Sequence, residues 1–196
     1  LGNNGYEECW FSRNGGISRS LRECEKSHSY LLGRVLRMIW EDLNKKLMIL
    51  HADAKTTDDV FEQLGTKFIQ EGFCKNNYVE ELKKREKEYP TGLAINGFEI
   101  AIPHTEAVNV LNEAEGIMTL NEPVHFVQMG TTDTIIDVKV VMMLAIENPK
   151  EHIKKLQRII AIIQDMNVLN EIYQANTEDE IIQAIKEKER KIEEAI

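Results

Sequence analysis

No apolar run in this 196-residue chain approaches the length that a bilayer span needs, and no signal-peptide pattern is visible. Cysteine is scarce: Cys9, Cys24 and Cys74 form neither a metal-ligand spacing nor a disulfide framework. Basic residues are outnumbered, giving a net charge of −9 and a pI near 5.2, which argues against a nucleic-acid footprint and leaves basic partners open. The i, i+4 histidine pair of a zinc protease helix is missing, and no cysteine or carboxylate cluster supports His51, His104, His125 and His152 as metal ligands. No metal or bound cofactor is therefore expected. No internal repeat occurs. These absences leave a cytoplasmic protein, itself outside the membrane, long enough for one domain or one domain plus an appendage.

Serine is absent after residue 37: all five serines (Ser12, Ser18, Ser20, Ser27, Ser29) lie before it, with five of the eight arginines and two of the three cysteines. The first 37 residues carry a charge of +2, so residues 38–196 carry −11. Helical periodicity is poor until about Leu31, and the style changes at Met38 to MIWEDLNKKLMIL. Residues 1–37 are expected to be a non-domain extension, either disordered or translated upstream of a true start at Met38, the latter being preferred. The domain is expected over 38–196.

From Met38 the elements alternate as in an α/β domain. Leu47 to Leu50 reads as an edge strand. Thr57 with Asp58 and Asp59 reads as a helix start, Val60, Phe61, Leu64 and Phe68 as its apolar stripe and Gly72 as its C′ residue. Asn77 and Glu80 mark a second helix, ended by Pro90. Leu93 to Ile95, Asn96-Gly97 and Phe98 to Ile102 predict a hairpin with a type I′ turn, because Asn-Gly tolerates the positive φ angles required. Gly116 to Leu120 and Val124 to Met129 read as strands broken at Asn121-Glu122-Pro123. Val138 to Ile146 is apolar enough for a buried central strand. Asn148-Pro149 opens a helix faced by Ile153, Leu156, Ile159, Ile160 and Ile163, and Val168 to Tyr173 is a short helical piece. Thr177 and Glu180 form a capping box before a last helix, and Lys186 to Glu194 reads as a solvated, charged tail.

The chemistry concentrates in Arg85 to Ala107, REKEYPTGLAINGFEIAIPHTEA. Phe98, Ile100 and Ile102 alternate with Glu99 and Ala101, Pro103 stops ladder pairing, and His104 follows, expected to face solvent on a rigid base. A lone histidine is more often structural than catalytic. Here it has company: His152 in the first turn of the Pro149 helix, Arg85 before the hairpin, and the hydroxyls of Thr91 and Thr105. A nucleophilic imidazole, a second imidazole, a guanidinium and a helix N-terminus are the parts a transferable phosphoryl group needs. His125 alternates with Val124 and Phe126 and reads as a structural, partly exposed histidine. Glu86, Glu99 and Glu106 read as surface charge, and Cys74 as a plain cysteine.

REKEYPTGL, IAIPHTEA, EPVHFVQM and LAIENPKEHIKKLQRI together resemble the enzyme IIA domain of the sugar phosphotransferase system, fructose–mannitol class, with the galactitol type nearest. The resemblance covers roughly Leu47 to Ile185. It implies a mixed β-sheet flanked by helices, like the mannitol-type IIA domain. It implies a phosphotransferase in which His104 accepts a phosphoryl group from HPr and passes it to a cysteine of enzyme IIB, serving the IIC permease indirectly. His152 matches a histidine that supports the phosphorylated site, and Arg85 an arginine beside the phosphohistidine. A regulatory IIA-like module, whose phosphorylation state controls a partner protein, is the alternative.

Overall fold

The computed structural model describes residues 38–147 and 149–194, without the side chains of 149–153. The expectation for residues 1–37 lies outside the described residues. A short helix α1 (Ile39–Asp42) leads into β1 (Leu43–Ala52). Helix α2 runs through Thr57–Val60, one π-helical turn at Phe61–Gly65, and Thr66–Gln70. Then come α3 (Tyr78–Glu88), the hairpin β2 (Gly92–Ile95) and β3 (Phe98–Ala101), a 3₁₀ turn at Ala107–Asn109, β4 (Ala114–Val127) and β5 (Ile135–Ala145). Helices α4 (Pro149–Ile163), α5 (Met166–Gln174) and α6 (Glu178–Glu194) complete the domain.

The five strands form one mixed sheet in the order β1-β4-β5-β3-β2. The pairs β1–β4 and β5–β3 are parallel, while β4–β5 and β3–β2 are antiparallel. The expected edge strand is β1, and the apolar run around Val138 is the central β5. Period-2 alternation sends Val141 and Met143 into one core with α2 and α3, and Val140, Met142 and Leu144 into another with α4, α5 and α6. Helices thus cover both faces, and β5 is apolar on both sides for that reason. The Asn96-Gly97 turn has φ of 51° and 89°, as the hairpin requires.

Several local expectations change. The cap of α2 is Thr56, not Thr57: Thr56 Oγ1 accepts from Asp59 N at 3.1 Å, and Asp59 Oδ2 accepts from Thr56 N at 2.9 Å. Strand β4 is continuous where two strands were expected. Pro123 lacks an N–H, but the register shift between Thr119 and Val124 absorbs it without ending the strand, and residues 121–123 are exposed there. The tail Lys186 to Glu194 is helix, and not all solvated: Glu189 is 3 % exposed and its carboxylate accepts from Ile39 N and Trp40 N, both at 3.0 Å. It caps α1 from 150 residues away.

Candidate active site

β3 ends at Ala101, and the next three residues carry His104 across to the end of β5. Pro103 O accepts from Leu144 N at 3.0 Å, and His104 bridges Leu144 in parallel register. Leu144 O accepts in turn from the hydroxyl of Tyr78 on α3 at 2.9 Å. Tyr78 is fully buried, and the cost of burying its phenolate pushes its pKa up, so it stays a donor. Beyond His104 the loop is tied down by Asn109, whose carbonyl accepts from Lys75 N at 3.0 Å and whose side chain accepts from Asn77 Nδ2 at 2.9 Å. Asn77 starts α3 as expected, but its side chain bonds Asn109 rather than capping the helix.

The imidazole itself is 6 % exposed, a correction to the expectation that it faces solvent. The cause is the bridge to β5, which draws the residue against the sheet instead of letting it project from a strand end. His104 Nδ1 lies 2.9 Å from Ile102 O. A carbonyl only accepts, so Nδ1 carries the proton and, in the neutral ring, the lone pair resides on Nε2. The contact therefore selects the tautomer whose nucleophilic nitrogen is the one away from the backbone.

Arg85, in the last turn of α3, stacks over the Tyr89 ring at 5.5 Å from its centroid and makes no ion pair among the described residues. It lines a cleft of about 280 Å³ together with Glu81, Lys84, Glu88, Tyr89, Thr105 and Glu106. Arg85 and the residue next to His104 thus share one cleft. The two threonines expected to offer hydroxyls are engaged elsewhere. Thr105 Oγ1 donates to Glu106 O at 3.2 Å, and Thr91 Oγ1 donates to Glu86 Oε2 at 2.7 Å.

Glu86 is not the surface charge that the sequence suggests. Burial pushes its carboxyl up to about 7, against the pull of the Thr91 hydrogen bonds and of Arg85. Its position on α3, alternating with charged neighbours, carries no signal of this. His152 falls on α4 as expected, four residues into the helix, but its side chain lies outside the described ones. Only residues 146–148 separate α4 from β5, so the chain brings the α4 N-terminus near the strand end that holds His104. His125 is exposed and lies 2.7 Å from Asp137 Oδ1, seven residues back along β5 from Leu144, roughly 20 Å from this site. His51 sits exposed on the β1 edge with φ 53°. No group of three or more His, Cys, Asp or Glu among the described residues is arranged to hold a metal ion.

Residues 41–188 match the family model described as phosphoenolpyruvate-dependent sugar phosphotransferase system, EIIA 2. The chain belongs to that family. It is thus a phosphotransferase component, an enzyme IIA. The galactitol-specific EIIA component of Escherichia coli (strain K12) is 29 % identical over 111 residues, covering 57 % of this chain and 73 % of that protein. The mannitol-specific enzyme IIA component of Geobacillus stearothermophilus is 26 % identical over 146 residues, 74 % of this chain and 95 % of that protein. Among solved structures, the complex of enzyme IIAMTL with phosphorylated enzyme IIBMTL from Escherichia coli aligns with a TM-score of 0.61 at 23 % identity, covering 73 % of this chain and 96 % of that one. At that identity the likeness is one of fold, and the fold is the mixed sheet with flanking helices of the mannitol-type IIA domain. No described helix of this enzyme IIA is long and apolar enough to cross a membrane.

Proposed function

We propose that His104 is the phosphoryl acceptor of this enzyme IIA, charged by phospho-HPr and discharged to a cysteine of an enzyme IIB in the cytoplasm. The observation that carries the reading is the bond from Nδ1 to Ile102 O, which leaves the lone pair on Nε2. In the charging step that lone pair forms the new bond to phosphorus while the donor's bond to phosphorus breaks, its electron pair leaving with the donor. Nδ1 keeps its proton on Ile102 O, and the ring becomes cationic beside the anionic phosphoryl group. In the second step a cysteine thiolate of enzyme IIB attacks phosphorus, and the electrons of the N–P bond return to Nε2. No general base is needed, because the neutral ring attacks and the same ring leaves.

Charge spreads over the phosphoryl oxygens in the transition state, and Arg85, which lines the cleft beside Thr105 and makes no ion pair among the described residues, suits that role. His152 and the first turn of α4 are assigned the same task, while Thr91 and Thr105, whose hydroxyls are spent on Glu86 and on Glu106 O, are not. A negative charge of −11 over residues 38–196 favours a basic donor. The sugar is proposed to be galactitol or a related sugar alcohol, on the strength of the galactitol-specific relative. The segment before Met38 is assigned no part in the domain.

Incubation with phosphoenolpyruvate, enzyme I and HPr tests the reading. The wild-type chain becomes labelled and His104→Ala does not; persistent label in that variant removes His104 from its role. Transfer onward to enzyme IIB separates the carrier from a regulatory module, which would hold its phosphoryl group.

A further inference from the structure

Four hydrogen bonds, two of them side by side, join a half-buried carboxylate to the imidazole through Thr91 and Ile102. Glu86 Oε2 accepts from Thr91 Oγ1 at 2.7 Å and Oε1 from Thr91 N at 3.0 Å. Thr91 O accepts from Ile102 N at 3.2 Å, and Ile102 O accepts from His104 Nδ1 at 2.9 Å. Both oxygens of Glu86 are committed to one residue, which fixes Thr91 in position and orientation at once. Thr91 is 2 % exposed and Ile102 is 2 % exposed, so water does not compete for these bonds.

The bonds pass through different peptide groups. Thr91 N belongs to the peptide that precedes the residue and Thr91 O to the one that follows, and the same holds at Ile102. The coupling is therefore one of position rather than of polarisation along a conjugated path. The chain leaves α3 at Glu88, turns through Tyr89 and Pro90, and must then lie against the segment after β3. Glu86 reaches across that turn and holds it closed.

We propose that Glu86 is a positioning residue for the phosphoryl-accepting imidazole: by clamping Thr91 it sets the backbone of Ile102 to His104, keeping Nδ1 tied and Nε2 turned to the incoming group. The proposal rests on the reading of His104 as acceptor. It also gives Thr91 a different part from that of a phosphate donor, because its hydroxyl hydrogen is spent on Glu86. Glutamine at position 86 would keep both contacts, its oxygen accepting from Thr91 N and its NH₂ donating to a rotated Thr91 hydroxyl, so alanine, which removes both acceptors, is the variant that opens the clamp.

The test uses the full chain with ¹⁵N-labelled histidine, together with rapid-quench measurement of phosphoryl uptake over a range of phospho-HPr concentrations. The His104 ring nitrogens report the tautomer directly. In Glu86→Ala and Thr91→Val the Nδ1–H form is expected to lose its dominance. The limiting uptake rate should fall on the order of 10- to 100-fold, with the half-saturating HPr concentration unchanged. Thr91→Ser, which keeps the hydroxyl, should restore both readouts. If Thr91→Val does not fold, Glu86→Ala alone decides the matter. A wild-type tautomer and limiting rate in Glu86→Ala overturn the proposal, as does a loss that appears only in the half-saturating concentration or, at Thr91, one that serine fails to restore. The acceptor reading fails separately: uptake that persists in His104→Gln overturns that reading, whereas the tautomer signal of the wild-type chain and of the Glu86 and Thr91 variants is read without any phosphoryl transfer.

Discussion

Replacing Glu115 by glutamine should flatten the dependence of this domain's stability on pH. Glu115, on β4, has no exposed surface, and neither carboxylate oxygen is aligned for a hydrogen bond. Lys155 Nζ is 3.2 Å from its Oε1, yet the same ammonium is 2.7 Å from Asp42 Oδ2 and 3.8 Å from Glu113 Oε2. Three carboxylates thus compete for one ammonium in a water-poor space between α1, β4 and α4, with Glu189 adding a fourth negative charge nearby. Burial pushes Glu115 up to about 8, with Lys155 pulling it down and Asp42 and Glu189 pushing it further up. The folded state therefore keeps a proton that the unfolded chain releases above about 4.5.

The sign follows from proton linkage. Between about pH 4.5 and about pH 8 the folded state binds more protons at this site, so stability falls as pH rises, by at most about 1.4 kcal/mol per unit. From about pH 5.5 to about pH 7.5 that is roughly 2–3 kcal/mol, or a fall in Tm of roughly 5–10 °C for a domain of this size. Glu86 and Glu189, also raised by burial, add slopes of the same sign, so the informative quantity is the difference between wild type and Glu115→Gln. Lys155 is raised, and its contribution is lost only at higher pH; Asp59 and Asp165 are lowered and act only in acid. Urea midpoints measured at steps of pH should show the variant gaining on the wild type as pH rises. Parallel curves would mean that Glu115 is ionised in the folded state and that Lys155 outweighs its burial.

Glu189→Ala should cost about 2–4 kcal/mol, because it strips two buried N–H groups of their acceptor and removes the carboxylate 3.8 Å from Arg158; denaturant unfolding measures it. Gly116→Ala should cost about 1–3 kcal/mol, since a Cβ there meets Leu47 O at 2.5 Å and Phe68 Cε2 at 2.8 Å between β1 and α2; a Tm within a degree of wild type would refute that close approach. Arg85→Ala should slow phosphoryl uptake on the order of 10²-fold while leaving the Tm nearly unchanged, as its only described side-chain contact is the stack on exposed Tyr89. An unchanged rate would return Arg85 to the surface.

The elements with a strong period were legible. The stripe Val60, Phe61, Leu64 and Phe68 is buried as read, the Asn-Gly hairpin turns where expected, and Val138 to Ile146 lies at the centre of the sheet. Each of these is decided within a few residues. Misread features depend on distant partners. Lys186 to Glu194 looks like a solvated tail until α1 offers two N–H groups to Glu189. In the site, the hairpin that leads to His104 was readable, and Arg85 shares a cleft with Thr105, the residue after it. The burial of the imidazole was not, because the bridge to Leu144 joins segments 40 residues apart. Glu86 was passed over for a related reason: its partner lies only five residues on, but across a helix end that no periodicity describes.

A carrier that meets two partners in turn must offer the same atom in the same place to both, and with His104 as the proposed acceptor the residues around it meet that demand through β5. Leu144 is fully buried in the central strand, donates to Pro103 O and accepts from Tyr78, while His104 bridges to it. The loop bearing the imidazole is thus tied to the strand with neighbours on both sides and cores on both faces, the part of such a domain that opens last. Tyr89, 63 % exposed, lines the same cleft as Thr105, the residue after the nearly buried ring. A held ring beside an exposed wall is the division expected when docking supplies the selectivity and preorganised geometry the rate. It also explains why burial does not disqualify His104. The bond from Nδ1 to Ile102 O already settles the tautomer, so a partner need only expose Nε2, not reorient the ring.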